Sequence, residues 1–464
     1  MKRFYISLIS IFLTIVLSIT IFFIALASFD AKYQNTYYGE LEAKTKRLDS
    51  IKEEKIVFIG GSSLSFGIKS KEMEEALGMP VSSYGLYASL GTKVMMELAA
   101  NSINNGDIVI LAPEVSKDTY STMMNYKNIL KCFEGNDLYK RLPLSIQMDL
   151  LYNYPSFQLE KNKIEIPEEK KPYTKDSFDS YGEIYDELRF QNVMYGYYDP
   201  SLMIKPSKEL FDDEFISYLN SYNQFVINKG AKLYFAYSPT NRLAYMDDDI
   251  NSYKEVIEEK LDFKSLGKFE DYIYNEYYFY DTNFHLNSTG AYLHTKNLVD
   301  NLSKELNIEI KKNIDVPSMP LPLYELSGDT VTIDSIVYTK TNNGYFVSDV
   351  LDDFNLDKIA IPSEIFNTKV IGISNEAFSN LATLHEIVLP NTITSLGNAC
   401  FKNSMNLTRV YLYSDEAPLV PATGLLDGAS SDIKICIPKN KMKLYTSGYS
   451  WMNYFDYLEI IREE

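Results

Sequence analysis

The sequence predicts an α/β domain built on a parallel sheet, with an apolar helix before it and a repeat domain after it. Short β-branched runs alternate with helical stretches between residues 55 and 306, a pattern typical of a parallel sheet covered by helices on both faces. An apolar run occupies residues 4–29, and a 23-residue repeat appears after residue 332. The 464 residues therefore divide into an anchor and two domains.

Composition restricts the classes of function. The chain has 45 Lys and Arg against 63 Asp and Glu, which gives a formal net charge of −18. Because phosphate binding requires clustered Lys and Arg, we expect no nucleic-acid partner. Cys132, Cys400 and Cys436 are far apart and form no CxxC pair, so we expect neither a metal site nor a cofactor. A disulfide between Cys400 and Cys436 stays open, but two small buried side chains are the preferred interpretation.

The N-terminal segment is predicted to be a transmembrane helix. Lys2 and Arg3 precede an apolar run that is longer than the roughly 20 residues needed to span a bilayer. The basic pair favours a cytoplasmic N-terminus, which places the bulk of the chain outside the membrane. A cleavable signal ending at residues 25–27 is the alternative, although the apolar part of a signal is usually about 7–15 residues. The polar residues 30–54 are expected to form a stalk.

The region 55–312 is expected to fold as one domain. The predicted strands are residues 55–59, 81–84, 107–112 and 231–237, and the predicted helices are residues 69–77, 91–104, 210–228, 252–260 and 288–306. Residues 130–205 break this alternation and are rich in Tyr, Lys, Glu and Pro. We expect a structural insertion with its own small core, and a lid whose aromatic rings stack on a polysaccharide is the alternative.

A candidate nucleophile follows the first predicted strand. Ser62 comes directly after Gly60 and Gly61, which permit a tight turn, and the following helix directs N–H groups at developing negative charge. Near the end of the domain, Asp281 lies four residues before His285. A serine nucleophile needs a base, and the base needs an orienting acid, so these side chains could supply a triad. A plain glycine turn and a loop histidine beside a helix cap are the alternatives.

The segment 60–62, Gly85 after the second strand and the segment 281–287 resemble the SGNH (GDSL-like) hydrolase superfamily. The resemblance covers roughly residues 53–310 and implies a three-layer, flavodoxin-like fold. Membrane-tethered proteins of similar arrangement include alginate O-acetyltransferases and the D-alanyl transfer protein of teichoic acids. The resemblance therefore implies a membrane-anchored esterase or O-acyltransferase acting on a cell-envelope polysaccharide or another acyl ester.

The same resemblance assigns roles to individual residues. It implies Ser62 as the nucleophile, His285 as the base and Asp281 as the acid, with the N–H groups of Ser62 and Gly85 lining the oxyanion hole. These assignments make three parts of the domain converge on one site.

The chain departs from the family pattern at three places. Gly61 stands where many members have aspartate. Asp281 is one residue further from the histidine than usual, and Asn283 is closer. Glu114 follows the third strand, where the family supplies an oxyanion-hole asparagine. A carboxylate there would repel an oxyanion unless it were protonated or turned away, so catalysis would depend on the Ser62 and Gly85 N–H groups.

A repeat domain is expected after a proline-rich linker at 313–331. The segments around Phe378 and Phe401 align with a 23-residue period, which is typical of stacked repeats. They resemble BspA-like leucine-rich repeats over about residues 332–464, which implies a β-solenoid domain. That family is associated with surface adhesion and protein binding, so a non-catalytic binding protein at the bacterial cell surface is the alternative function. A short array that only stabilises the chain is the remaining possibility.

Overall fold

The N-terminal helix stands apart from the folded domains for most of its length. The structure, a computed structural model, describes residues 2–165, 169–194, 197–318, 324–366, 368–447 and 449–461. Helix α1 spans Lys2–Ala27, and most of its side chains from residue 4 onward are exposed. Its 24-residue segment Phe4–Ala27 is long and apolar enough to cross a membrane, although a signal sequence meets the same criteria.

The central sheet has four parallel strands in the order β2-β1-β3-β4. The strands are β1 Ile56–Gly60, β2 Val81–Gly85, β3 Ile108–Ala112 and β4 Lys232–Phe235. All residues of the first three strands are buried, as expected for a sheet covered on both faces. Gly60 pairs with Gly85 on one side and Ala112 on the other, so three carboxyl ends meet at one edge. The predicted α/β fold with a parallel sheet is confirmed.

Helices and short turns surround the sheet. The helices are α2 Glu40–Ser50, α3 Ser62–Gly67, α4 Ser70–Leu77, α5 Thr92–Ala100, α6 Tyr126–Cys132, α7 Leu144–Lys163, α8 Asp213–Asn228, α9 Ile250–Glu255 and α10 Ser288–Leu306. A π-helical turn, Val256–Lys260, extends α9. The two-residue strands β5 Thr240–Asn241 and β6 Ile273–Tyr274 pair in parallel beside the sheet.

Residues 30–54 do not form the expected stalk. The side chain of Leu41 on α2 is fully buried in the core of the α/β domain. The Tyr37 hydroxyl donates a hydrogen bond to the carbonyl oxygen of Leu86 at 2.8 Å. Lys44 is also buried, and burial lowers its pKa to about 8. The prediction of a stalk was wrong because the sequence does not distinguish lysine and glutamate side chains that the fold buries from those that solvent covers.

The insertion at 130–205 does not have a core of its own. Phe157, Phe178 and Ile184 belong to the same buried cluster as the strands of the central sheet. The expectation of a separate small core is therefore wrong for the described part of this segment. Its aromatic side chains are instead used to enlarge the main core.

A buried carboxyl group in the insertion should make stability depend on pH. Glu183 accepts a hydrogen bond from the backbone N–H of Ser70 at 2.9 Å, and burial raises its pKa from 4.5 to about 7, with Asp179 adding to the effect. Between these two values the folded chain holds a proton that the unfolded chain has lost. Stability therefore falls as the pH rises from about 4.5 to 7.

Glu183→Gln should remove this dependence. At pH 8 the variant should be more stable than the wild type by about 3 kcal/mol, since glutamine keeps the acceptor for Ser70 and carries no buried charge. Urea unfolding of the detergent-solubilised chain at pH 5 and pH 8 measures the difference, with the exposed Glu187→Gln as the matched control. Equal pH dependence in the variant and the wild type would contradict the prediction.

The predicted linker is shorter than expected. Strand β7, Tyr324–Ser327, begins within the segment 313–331 and pairs with β8, Thr330–Ile333. Residues 319–323 of the predicted linker lie outside the described residues.

The remaining strands are β9 Ile336–Lys340, β10 Tyr345–Val350, β11 Lys358–Ala360, β12 Glu364–Ile365, β13 Thr368–Ile373, β14 Glu386–Leu389, β15 Ser395–Leu396, β16 Arg409–Leu412, β17 Lys434–Ile437 and β18 Leu458–Ile460, and helix α11 is Met442–Thr446.

The repeats stack through a parallel strand ladder in the order β11-β14-β16-β17-β18. The rings of Phe378 and Phe401 stack with centroids 6.1 Å apart and planes at 12°. The Asn375 side chain accepts a hydrogen bond from the Asn398 backbone N–H, 23 residues on, at 2.7 Å. The 23-residue period is therefore a physical spacing between equivalent positions.

The cysteines are unpaired. Cys132, Cys400 and Cys436 are free and buried, so the alternative of a disulfide between Cys400 and Cys436 is wrong. Cys400 lies in the hydrophobic interior of the repeats and behaves there as a small apolar side chain.

Candidate active site

Ser62 lies where the central strand β1 turns into helix α3. The strand ends at Gly60, and Gly61 is the N-cap of the helix that begins at Ser62. A Cβ atom on Gly60 would lie 2.4 Å from the Ala112 carbonyl oxygen, and one on Gly61 would lie 2.8 Å from Oε1 of Glu114. Gly60 is therefore required by its close approach to the backbone of β3, and Gly61 leaves room for the carboxyl group of Glu114.

His285 contacts the candidate nucleophile. Its Nε2 atom lies 2.8 Å from Oγ of Ser62, although the two residues are 223 positions apart. The imidazole is held face to face against the Phe66 ring, with centroids 4.0 Å apart and planes at 1°. Ser62 is 7% exposed and His285 is 6% exposed. A buried, stacked imidazole keeps one orientation, with Nε2 directed at the serine hydroxyl.

Asp281 occupies the other side of the imidazole. Its Oδ1 atom lies 2.9 Å from Nδ1 of His285. Asn283, which is closer in sequence, is buried elsewhere and donates hydrogen bonds to the carbonyl oxygens of Asp199 and Leu202. The structure therefore brings Ser62, His285 and Asp281 into one row and keeps Asn283 out of it.

A fourth side chain, Tyr173, comes from the insertion and was missed in the sequence. Its hydroxyl donates a hydrogen bond to Oδ2 of Asp281 and lies 3.1 Å from Nδ1 of His285. Burial and the negative charge of Asp281 raise the pKa of Tyr173 well above its ordinary value, so the phenol stays protonated and remains a donor. The chain has 38 tyrosines, and nothing in the local sequence distinguishes this one beyond its place in a tyrosine-rich segment.

Glu114 is directed at the nucleophile. One of its oxygens, Oε1, accepts a hydrogen bond from the Ser63 backbone N–H at 2.8 Å and lies 3.1 Å from Oγ of Ser62, whose one proton can be donated to Oε1 or to Nε2 of His285 but not to both at once. The residue is buried and follows the end of β3 by two positions. The carboxylate is not turned away from the site, so its charge opposes negative charge developing on a nearby carbonyl oxygen.

Gly85 lies beside the turn that carries Ser62, and steric crowding there leaves room only for a glycine. A Cβ atom there would be 2.3 Å from the Gly61 carbonyl oxygen and 2.9 Å from Cβ of Leu64. Its own carbonyl oxygen accepts a hydrogen bond from the Ser65 hydroxyl at 2.7 Å. This close approach explains the glycine without any catalytic role, and the expected contribution of the Gly85 N–H to an oxyanion hole stays a prediction.

The other histidines lie elsewhere. His294 is buried on α10, 2.9 Å from the Tyr274 hydroxyl, and burial lowers its pKa to about 3, so it is neutral at physiological pH. His385 is exposed in the repeats. Among the described residues, no group of three or more His, Cys, Asp or Glu side chains is placed to hold a metal ion.

Comparisons with known proteins concern the C-terminal repeats. The family model described as "BspA type Leucine rich repeat region" matches residues 346–418 in six copies. The predicted resemblance to BspA-like leucine-rich repeats is confirmed for this segment. No curated protein matches the chain.

A solved structure of a leucine rich cell surface protein from Faecalibacterium prausnitzii A2-165 is 19% identical to this chain. The match covers 31% of this chain and 31% of that one, with a TM-score of 0.16, so the chain spans about a third of the length of that protein. A likeness at this level carries no argument about activity or partners. The chain thus combines a mixed α/β domain with a BspA-type leucine-rich repeat region.

Proposed function

We propose that the protein is a membrane-anchored serine esterase or O-acyltransferase of the SGNH type, acting on an acyl ester outside the cell membrane. The observation that carries the proposal is the 2.8 Å contact between Oγ of Ser62 and Nε2 of His285. The contact of Asp281 with the other imidazole nitrogen supports it, because a base oriented by an acid is what a serine nucleophile requires. The parallel strand order also agrees with the SGNH resemblance.

The geometry permits a two-step acyl transfer. Nε2 of His285 accepts the Ser62 proton as Oγ attacks the ester carbonyl, and Asp281 stabilises the imidazolium that forms. The ester C–O bond then breaks, the proton passes from His285 to the leaving alcohol, and the acyl group remains on Ser62. Water or a sugar hydroxyl next attacks this acyl group and gives its proton to Nε2 of His285. The bond between the acyl carbon and Oγ then breaks, and His285 returns the proton to Ser62.

The substrate class follows from the proposed location. With α1 in the membrane and the basic residues at its start in the cytoplasm, the site faces the cell envelope. Acylated envelope polysaccharides supply esters there, and their sugar hydroxyls supply acceptors. A glycan acyl ester is therefore the substrate that this arrangement favours.

Covalent labelling tests the proposal. The purified full chain should react with a fluorophosphonate probe at Ser62, and Ser62→Ala should not react. Ser63→Ala is the matched control, since the neighbouring hydroxyl has no part in the row of contacts and its loss should leave labelling unchanged. Equal labelling of wild type and Ser62→Ala would refute the esterase proposal.

Tyr173→Phe should lower ester turnover about tenfold. The change removes the hydroxyl that donates to Asp281, and a hydrogen bond to a charged group typically contributes about 1.5–3 kcal/mol. Hydrolysis of p-nitrophenyl acetate by the full chain measures the effect, and Tyr185→Phe, an exposed tyrosine of the same insertion, is the control. An unchanged rate in Tyr173→Phe would show that Asp281 and His285 are held without this hydroxyl.

A second function, binding to another surface through the repeats, is supported by the BspA-type family match at residues 346–418. It predicts that removal of residues 332–464 abolishes attachment of cells displaying the chain to a protein-coated surface, while Ser62→Ala leaves attachment intact. Fluorophosphonate labelling of the shortened chain would check that the α/β domain still folds. Attachment retained without the repeats would contradict this function.

A further inference from the structure

We propose that helix α7 lies on the outer leaflet of the membrane that α1 crosses, so that the α/β domain is docked on lipid. The proposal rests on the membrane anchoring put forward above. It goes beyond anchoring because it assigns a second, lateral contact with the bilayer to a helix of the folded domain.

Helix α7 exposes an apolar stripe. The side chains concerned are Leu144, Met148, Leu151, Tyr152 and Leu159, all exposed. Because successive residues of a helix turn by about 100°, these five fall within about a third of its circumference. A stripe of this kind on the surface of a domain indicates a contact with lipid or with another protein.

The opposite side of α7 packs on the domain. Ile146, Leu150 and Phe157 are buried in the main core. The helix therefore has two apolar faces, and only one of them is satisfied by the fold. The exposed stripe is not a by-product of core packing.

The end of the membrane-spanning segment lies against α7. The Phe23 ring, inside the apolar segment Phe4–Ala27, stacks on Tyr154 of α7 with centroids 6.3 Å apart and planes at 11°. A helix that touches the last turns of a membrane span must lie near the surface of the bilayer. Continuity with the span favours lipid over a protein as the occupant of the exposed stripe.

The residues between α1 and the domain are fixed to the C-terminal end of α7. The Lys32 ammonium donates hydrogen bonds to the carbonyl oxygens of Lys161 at 3.0 Å and Ile164 at 2.6 Å. The Lys161 ammonium in turn donates to the carbonyl oxygen of Asp30 at 2.8 Å. These crossed contacts leave no free tether at residues 30–32, so the domain cannot rise away from the bilayer without breaking them.

A groove between α1 and α7 fits an acyl chain. It has a volume of about 960 Å³, and its apolar wall includes Phe23, Phe133, Tyr154 and Phe157. Lys161 also lines the groove, where its ammonium is held by the carboxylate of Glu134 and by the Asp30 carbonyl oxygen. The groove extends the apolar stripe toward the point at which α1 leaves the membrane.

Site-directed fluorescence tests the contact with lipid. Bimane is attached to Tyr152→Cys, and to Met405→Cys as a control on the exposed surface of the repeats, in the full chain reconstituted in phosphatidylcholine nanodiscs. The native cysteines are buried and should react poorly. Replacing part of the lipid with doxyl-phosphatidylcholine should quench the label at position 152 at least twofold more than the label at 405.

A third label, on Val16→Cys in α1, distinguishes the docking of α7 on lipid from the anchoring of α1 in the membrane. Quenching at position 16 without quenching at 152 would overturn the docking of α7 and leave the anchor intact. No quenching at either position would overturn both. Protection of position 152 from iodide without quenching by doxyl-lipid would indicate a second protein chain on the stripe, and would also overturn the docking. A label on Leu159→Cys repeats the measurement near the C-terminal end of α7, where the same quenching by doxyl-lipid is expected.

Discussion

Asp281→Asn should reduce ester turnover about 10³–10⁴-fold. Oδ1 of Asp281 lies 2.9 Å from Nδ1 of His285, where a carboxylate can only accept and so keeps the proton on that nitrogen. An asparagine amide can donate to Nδ1 instead, which moves the imidazole proton to Nε2. The base would then carry a proton on the atom that must accept one from Ser62.

The measurement is hydrolysis of p-nitrophenyl acetate by the full chain in detergent. Asp300→Asn makes the same chemical change on the exposed face of α10, where Asp300 pairs with Lys296, and should leave turnover unchanged. Fluorophosphonate labelling of Asp281→Asn should slow in parallel with turnover. A variant that keeps more than a tenth of the wild-type rate would exclude Asp281 as the orienting acid.

Glu114→Gln should raise turnover about 10²-fold. Oε1 of the carboxylate accepts from the Ser63 N–H and lies 3.1 Å from Oγ of Ser62, so it places a carboxylate beside the nucleophile and competes with Nε2 of His285 for the Ser62 proton. Glutamine can keep its amide oxygen at the place of Oε1, where it accepts from the Ser63 N–H, and it carries no charge. Removal of a negative charge beside a site where negative charge develops stabilises the transition state, and an electrostatic effect of this kind, such as that of one oxyanion-hole donor, is typically worth about 10²–10³ in rate.

Glu114→Asp is the matched control for this change. It keeps the charge while shortening the side chain, so its turnover should not rise. A fall in the turnover of Glu114→Gln would contradict the prediction and would mean that the carboxylate assists Ser62. The two outcomes differ in sign, which makes the measurement decisive even if the absolute rates are low.

Much of the α/β fold could be predicted because its signals are local. The strand β1 is a continuous apolar run, as a strand buried on both faces must be, and the turn after it is marked by Gly60 and Gly61. The repeat period could be predicted for a similar reason, since two successive units place Phe378 and Phe401 at the same position. Residues 30–54 were misread because local polarity does not reveal which polar side chains the fold buries.

The candidate site was predictable only in part. Ser62 and His285 lie in recognisable segments, whereas Tyr173 reaches Asp281 from 108 positions away through an irregular segment. The longer spacing from Asp281 to His285 is accommodated by a local turn, in which Oγ1 of Thr282 accepts hydrogen bonds from the backbone N–H groups of Phe284 and His285. That turn depends on a threonine whose role is visible only in three dimensions.

The 23-residue spacing between equivalent asparagines has a consequence for how such genes change. Because a unit bonds mainly to its immediate neighbours, duplication or deletion of one whole unit, such as the 23 residues from Glu386 to the residue before Arg409, would add or remove one rung. The array can therefore lengthen or shorten by whole rungs while the α/β domain keeps its own fold.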